Sequence, residues 1–279
     1  MVASGTHPAH KVARLLAHHG VRGASIYWGL AERFQAVPSS DYGPANMYRG
    51  LYERAEVKIL RRLVKPGMTC VDVGANVGWY TRLFSEWVGP TGRVEAFEPS
   101  PGCLPHLNDL PANVTLHACA LGAQTATAQL LNTNNAVHSG QATLMPGVAL
   151  HGSATVEVRR LDDMVTQDVD VLKIDVEGWE AEVLAGAQRL IADRRFRYAL
   201  IEVSPEFGSV DYAYDLLALG GYSAWRIGEA GRFIARPRIM PVGAIDQQFN
   251  LLLVRDDAPA PQMSIWPLRR PRPRPGGTR

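Results

Sequence analysis

The chain has 279 residues, 46% of them hydrophobic and 20% charged, which is ordinary for a globular protein and enough for one sizeable core. The formal charge of +2 hides an asymmetry: residues 268–279 hold five arginines and no acid, and without them 24 basic residues face 27 acidic ones. A mildly acidic body gives no nucleic-acid footprint, and no apolar run nears the roughly 20 residues of a membrane span.

Residues 7–20 carry four histidines, a lysine and an arginine without an apolar stretch, so the start does not read as a secretory signal. Those histidines have no partner set for a metal. Residues 1–45 are read as a helical N-terminal extension, interrupted by the turn-rich PSSDYGP at 38–44. A second helix is expected from about Ala45 to Val64. Met47, Leu51, Val57, Leu60 and Val64 recur there at mostly helical spacing until Pro66-Gly67 stops it.

From Thr69 the texture alternates. Strands are predicted at 69–73, 94–97, 114–121, 170–176, 198–203, 222–227 and 249–254. Helices are predicted after Gly78 and over 101–109, 179–191 and 211–219. Residues 122–160 break the alternation, with strands at 129–131 and 155–158 around the polar NTNNAVHSG of 132–140. Strands alternating with helices predict a mostly parallel sheet with helices on both faces, its last two strands forming an antiparallel edge. The substrate side of such a fold is the expected place for the 122–160 insertion. Residues 258–279, rich in Pro and Arg, are read as a disordered basic tail. Cys70, Cys103 and Cys119 form no CxxC pair, and two lie in apolar runs. Buried free thiols in a reducing compartment, the cytoplasm, are the reading.

The most informative segment is Cys70-Val-Asp72-Val-Gly74-Ala75-Asn76-Val-Gly78. An apolar strand ends in an acid, turns through glycine and enters a helix, and ligands bind at such strand ends in an open α/β sheet. Glycines let a ligand approach the backbone, and a helix start favours an anion such as a carboxylate. A dinucleotide fingerprint needs a third glycine, which is missing here. An acid before the first glycine suits a ligand with an ammonium group, and S-adenosylmethionine carries an ammonium, a carboxylate and a sulfonium. Glu98, in Phe97-Glu98-Pro99, ends the second strand and is placed to accept from both hydroxyls of a ribose.

Five strings, VDVGANVGWYT (71–81), AFEPSP (96–101), LDDM (161–164), LKIDVEGWEAEVLAG (172–186) and LIEVSPE (200–206), together resemble the FkbM family of methyltransferases over roughly residues 50–255. The resemblance implies a class I methyltransferase (Rossmann-like) fold with a seven-stranded sheet, here spanning 46–257, and S-adenosylmethionine as donor. It implies O-methylation of a small metabolite such as a sugar, polyketide or peptide. Asp72, Gly74, Ala75, Asn76 and Gly78 would then hold the methionine part of the donor, Glu98 the ribose, and Ala120 would lie beside the adenine.

Asp175, closing the fourth strand, is the catalytic candidate: a carboxylate there can orient a hydroxyl and receive its proton. A structural role in the strand–helix turn is the alternative. Glu202 and the loop residue His138 are weaker candidates, His138 because imidazole titrates near neutrality. The Asp175/Glu202 pair has the chemistry to hold Mg²⁺, though nothing in the sequence requires a metal. Tyr48, Tyr52 and Glu53 fall where a helix lids the cofactor in this fold class, but ordinary helix packing and surface charge is the preferred reading. An N-methyltransferase, a nucleotide-linked oxidoreductase and a non-catalytic adenosyl-binding protein are the rival functions. A small-molecule acceptor, with neither nucleic acid nor membrane, is the expected partner.

Overall fold

The computed structural model describes residues 53–132, 142–144, 153–205, 210–229, 237–241 and 248–259. The N-terminal extension, His138, Tyr48, Tyr52 and nearly all of the basic tail lie outside them. In chain order come α1 (Arg54–Leu63), β1 (Thr69–Val73), α2 (Trp79–Val88), β2 (Arg93–Phe97), a 3₁₀ turn (Leu104–Leu107), β3 (Val114–His117) and β4 (Ala120–Leu121). Next are β5 (Ala126–Asn132), β6 (Ala142–Thr143), β7 (Ser153–Arg159), α3 (Leu161–Met164), β8 (Val169–Ile174), α4 (Glu180–Ala185) and α5 (Gln188–Ala192). The rest are β9 (Phe196–Val203), α6 (Asp211–Leu217), β10 (Tyr222–Glu229), β11 (Pro237–Pro241) and β12 (Phe249–Arg255).

The main sheet runs β11-β10-β12-β9-β8-β1-β2-β3. Strands β3, β2, β1, β8 and β9 are parallel, and β12 enters antiparallel between β9 and β10. This is the mostly parallel seven-stranded Rossmann-like sheet that the resemblance implies, extended by one strand. The added β11 pairs antiparallel with β10. Its sequence, PRIMP, has proline at both ends, and an outer edge is where a sheet tolerates proline.

The central strands read as apolar runs because both faces are covered, and side chains alternate between two cores. Cys70, Val171, Leu200 and Leu252 pack with Ile59, Leu60 and Phe84 of α1 and α2. Val71, Val73, Leu172, Ile174, Ile201 and Leu251 pack with Val183, Leu190 and Ala213 of the helices opposite. On the α1/α2 face the same period puts charged residues in apolar company: Asp72 follows Cys70, while Lys173 and Asp175 follow Val171. Asp72 lies directly opposite Lys173 across the β1–β8 pair.

Two expectations need correction. The strand expected over 114–121 is two: β3 stays in the main sheet, while the chain bends at Cys119 and β4 joins a second sheet, β4-β7-β5-β6. That sheet has its own small core of Ala120, Leu130, Val156 and Val158. The helix expected over 179–191 is also two, because Gly186 packs against the backbone of Gly122. A Cβ on Gly186 would stand 2.1 Å from the Gly122 carbonyl oxygen.

Candidate functional site

At the carboxyl ends of β1, β2 and β8 a cleft opens, walled by Gly74, Ala75, Asn76, Glu98, Lys173 and Asp175. Glu53 and Tyr80 close the side toward α1, Glu177 and Trp179 the side toward α4, and Ala120, Leu130 and Leu144 the side toward the second sheet.

The glycine turn is held from inside. The Gly74 and Ala75 N–H groups both donate to the Phe97 carbonyl at 3.0 Å, and Asp175 N–H donates to the Val73 carbonyl at 3.1 Å. Gly74 has φ +81°, and a Cβ there would meet the Asp175 carbonyl oxygen at 1.9 Å. This glycine therefore permits close approach of two strand ends, in addition to any approach by a ligand. Gly78 likewise serves packing: at φ +89° it caps α2, and a Cβ would press on Leu107 at 2.7 Å. Neither Gly78 nor Asp72 is among the residues that wall the cleft. Asp72 is fully buried beneath the turn, where the Thr81 hydroxyl donates to its Oδ2 at 2.6 Å. Its Oδ1 has no partner among the described residues.

Glu98 does face the cleft while staying buried. Its Oε2 accepts the Asn76 N–H at 2.7 Å and its Oε1 the Ser100 N–H at 2.8 Å. Burial pushes this carboxyl up to about 7 against those two donors. Each oxygen keeps acceptor capacity, since an ionised carboxylate offers about four lone-pair sites.

Beside it stands an acid-rich cluster with one cation. The Lys173 ammonium donates to Asp175 Oδ2 at 2.9 Å and lies 4.7 Å from the centre of the Tyr80 ring. Tyr80 in turn donates its hydroxyl to Glu53 Oε2 at 2.5 Å. Burial acts to lower the Lys173 pKa, but Asp175, Asp72 and Glu53 together outweigh it and hold it above its ordinary value. Burial, helped by the Asp175 charge, pushes Glu53 up to about 7 and Glu177 up to about 8. Glu53 and Glu177 both adopt left-handed backbone, at φ +41° and +53°. Non-glycine residues in that region persist only where their surroundings hold them there, and such positions concentrate at functional sites.

Glu202 stands apart. It ends β9 but does not wall the cleft; Gln248 donates to its Oε1 at 2.6 Å, and burial pushes it up to about 9. Among the described residues no group of three or more His, Cys, Asp or Glu is arranged to hold a metal ion. The structure thus brings Gly74, Ala75, Asn76, Glu98, Ala120 and Asp175 to one cleft, leaves Asp72 and Gly78 behind its wall, and leaves Glu202 outside it. Glu53, read beforehand as ordinary packing, is in the cleft. Lys173 was passed over, although a lysine inside an apolar strand, two residues before an acid on the same face, was a legible signal.

The sequence profile of the Methyltransferase FkbM domain matches residues 72–223, more than half of the chain and all of the cleft except Glu53. The chain belongs to the FkbM methyltransferase family. Methyltransferase sdnD of Sordaria araneosa is 30% identical over 155 residues, 42% of this chain and 59% of that protein. 2-O-methyltransferase NoeI of Sinorhizobium fredii is 25% identical over 162 residues, 50% of this chain and 66% of that one. Both matches therefore span less than two thirds of the relative. A solved methyltransferase FkbM from Methylobacillus flagellatus is 19% identical, with 86% of this chain and 60% of that one covered and a TM-score of 0.44.

Proposed function

We propose that this FkbM-family chain transfers a methyl group from S-adenosylmethionine to a hydroxyl oxygen of a small-molecule acceptor. One observation carries the reading: two strand-end carboxylates, Glu98 and Asp175, open on a single cleft with the Gly74–Asn76 turn between them. The residues fit the donor. Glu98 has acceptor capacity left for ribose hydroxyls. Ala120, with Cys119 and Leu121, gives an apolar wall suited to adenine. The buried indole N–H of Trp179 has no partner among the described residues and is available to a ligand acceptor. Gly74, Ala75 and Asn76 would take the methionine part, with Asp72 and Gly78 supporting the turn from behind.

The donor, when bound, supplies a methyl group already activated on sulfur, so most of the acceleration falls to alignment. Asp175, fixed by Lys173, accepts the acceptor's hydroxyl hydrogen bond and aims its oxygen. Leu130 and Leu144 bring the second sheet to the cleft, which supports assigning the 122–160 insertion to the acceptor side. The likeness to NoeI, a 2-O-methyltransferase, supports oxygen over nitrogen as the target. Among the described residues no helix is long and apolar enough to cross a membrane, and the three free cysteines are buried. We assign the chain to the cytoplasm on the strength of those thiols.

The test is calorimetry and thermal melting with S-adenosylhomocysteine and with NAD, followed by incubation of a cell extract with labelled donor. Binding of the first ligand alone, with a labelled product heavier by one methylene unit, is the expected result. Binding of NAD in its place would overturn the reading.

A further inference from the structure

Among the described residues that wall the cleft, Lys173 is the one positive side chain, and it is committed to Asp175. Glu53, Glu98 and Glu177 bring three more carboxyl groups into the same space. Of these, Glu98 is tied down by two backbone N–H groups. Glu53 is different. It arrives from the turn before α1, outside the segment that the family profile matches, and reaches the cluster through Tyr80. Like that of Glu177, its backbone is left-handed, so the fold holds it there against local preference.

A cleft whose described walls carry more acid than cation is suited to a ligand that brings positive charge. The donor assigned above carries a sulfonium cation, and its demethylated product is a neutral thioether. We propose that Glu53 reads this charge: it ionises when the sulfonium donor enters and takes up a proton when the neutral thioether is left. This rests on S-adenosylmethionine being the donor. The reaction balances. The O–C bond forms as the S–C bond breaks, the S–C electron pair stays on sulfur, and the hydroxyl proton leaves by way of Asp175, which makes it available to Glu53. The cleft loses one positive charge and regains one on Glu53. The product is then held less tightly than the donor, which favours turnover over product inhibition.

The charged surroundings support this assignment. Glu53 is faced by Glu56 of α1, Tyr80 of α2, Lys173 of β8 and Asp175 just after it. Asp72 of β1 touches the same network through Lys173. Glu177 of the turn before α4 meets both Glu53 and Asp175, while Glu180 and Glu202 face Asp175. With its carboxyl pushed up to about 7, Glu53 is part-protonated near neutrality, where a neighbouring cation changes its ionisation most.

The experiment compares S-adenosylmethionine with S-adenosylhomocysteine by calorimetry on the full chain between pH 5.5 and 8.5. Buffers of different ionisation enthalpy count the protons exchanged. A cation that moves the Glu53 ionisation by about one pKa unit changes the affinity ratio by about ten-fold. The preference for the methylated donor should therefore rise by about that factor across the range. Near pH 7 the donor should release about 0.3–0.5 proton more than the product does. Glu53→Gln should flatten the ratio and abolish the extra proton while both ligands still bind, which also controls for titration of their shared amino group. Tyr80→Phe removes the hydroxyl donor from Glu53 and should move the transition to higher pH. A ratio independent of pH in the parent chain, or unchanged in both variants, would overturn the inference while leaving the donor assignment intact. Failure of both ligands to bind would overturn both.

Discussion

Glu98 and Asp175 are both acids at strand ends, yet their surroundings separate their work. Glu98 is buried, with one backbone N–H on each oxygen. That pairing fixes its direction and leaves lone pairs for a ribose. Glu98→Ala should weaken S-adenosylhomocysteine binding by about ten- to a hundred-fold, because a hydrogen bond to a charged group is worth about 1.5–3 kcal/mol. Calorimetry reads this directly, and unchanged affinity would remove Glu98 from the site. Asp175 is about one quarter exposed and ion-paired to a lysine that the fold almost completely buries. Its amide variant, Asp175→Asn, keeps the shape but can no longer receive a proton. Turnover should fall by about 10²–10⁴, with kcat and kcat/KM falling together and product affinity preserved. Glu202→Gln is the matched control. Glu202 lies outside the cleft and meets Asp175 through its charge, so the loss in single-turnover rate should be much smaller than for Asp175→Asn.

The LDDM string turned out to matter at the scale of elements. Asp162, on α3, is buried, and its two carboxylate oxygens accept the N–H groups of Arg189 and Leu190 at 2.9 and 3.0 Å. Those are the first-turn donors of α5, so an acid from a separate helix caps it. Asp162→Ala should leave those buried donors unsatisfied and cost about 1–3 kcal/mol. A denaturant titration reads the loss, and product affinity should be unchanged. The sequence carried the order of elements well where the signal is local. Strand 69–73 has the bounds expected, and each later strand of the main sheet except β3 and β11 falls within two residues of its prediction. It failed where an element is defined by a distant partner. Gly186 splits a helical pattern only because Gly122 packs on it, and β4 leaves the sheet only because β7 takes it up. The same distinction holds in the cleft. Glu98 and Asp175 were legible from their places at strand ends, whereas Glu53 reaches the site only through its tertiary contact with Tyr80.

Across the whole molecule, the buried acids make stability depend on pH in an uncommon direction. Carboxylates paired in a folded protein usually have depressed pKa values, and stability is then lost in acid. Here burial pushes Glu53 and Glu98 up to about 7, Glu177 to about 8 and Glu202 to about 9, and raises Asp72 and Glu180 as well. Between the unfolded value, about 4.3 for Glu, and those folded values, the native state binds more protons than the unfolded chain. Stability therefore falls as pH rises through that window. The contribution is fully present below the unfolded pKa and is lost as pH passes the folded ones. The Lys173 shift lies above this range and does not oppose it. The ligand-free protein should accordingly melt at a higher temperature near pH 5.5 than near pH 9. The slope should lessen when S-adenosylmethionine is bound, because its positive charge favours the ionised acids. Differential scanning fluorimetry across that range, with and without donor, makes the measurement. A melting temperature that climbs steadily toward pH 9 in the ligand-free protein would mean that the cleft acids are ionised in the native state. Their surplus negative charge would then be balanced by cations other than Lys173.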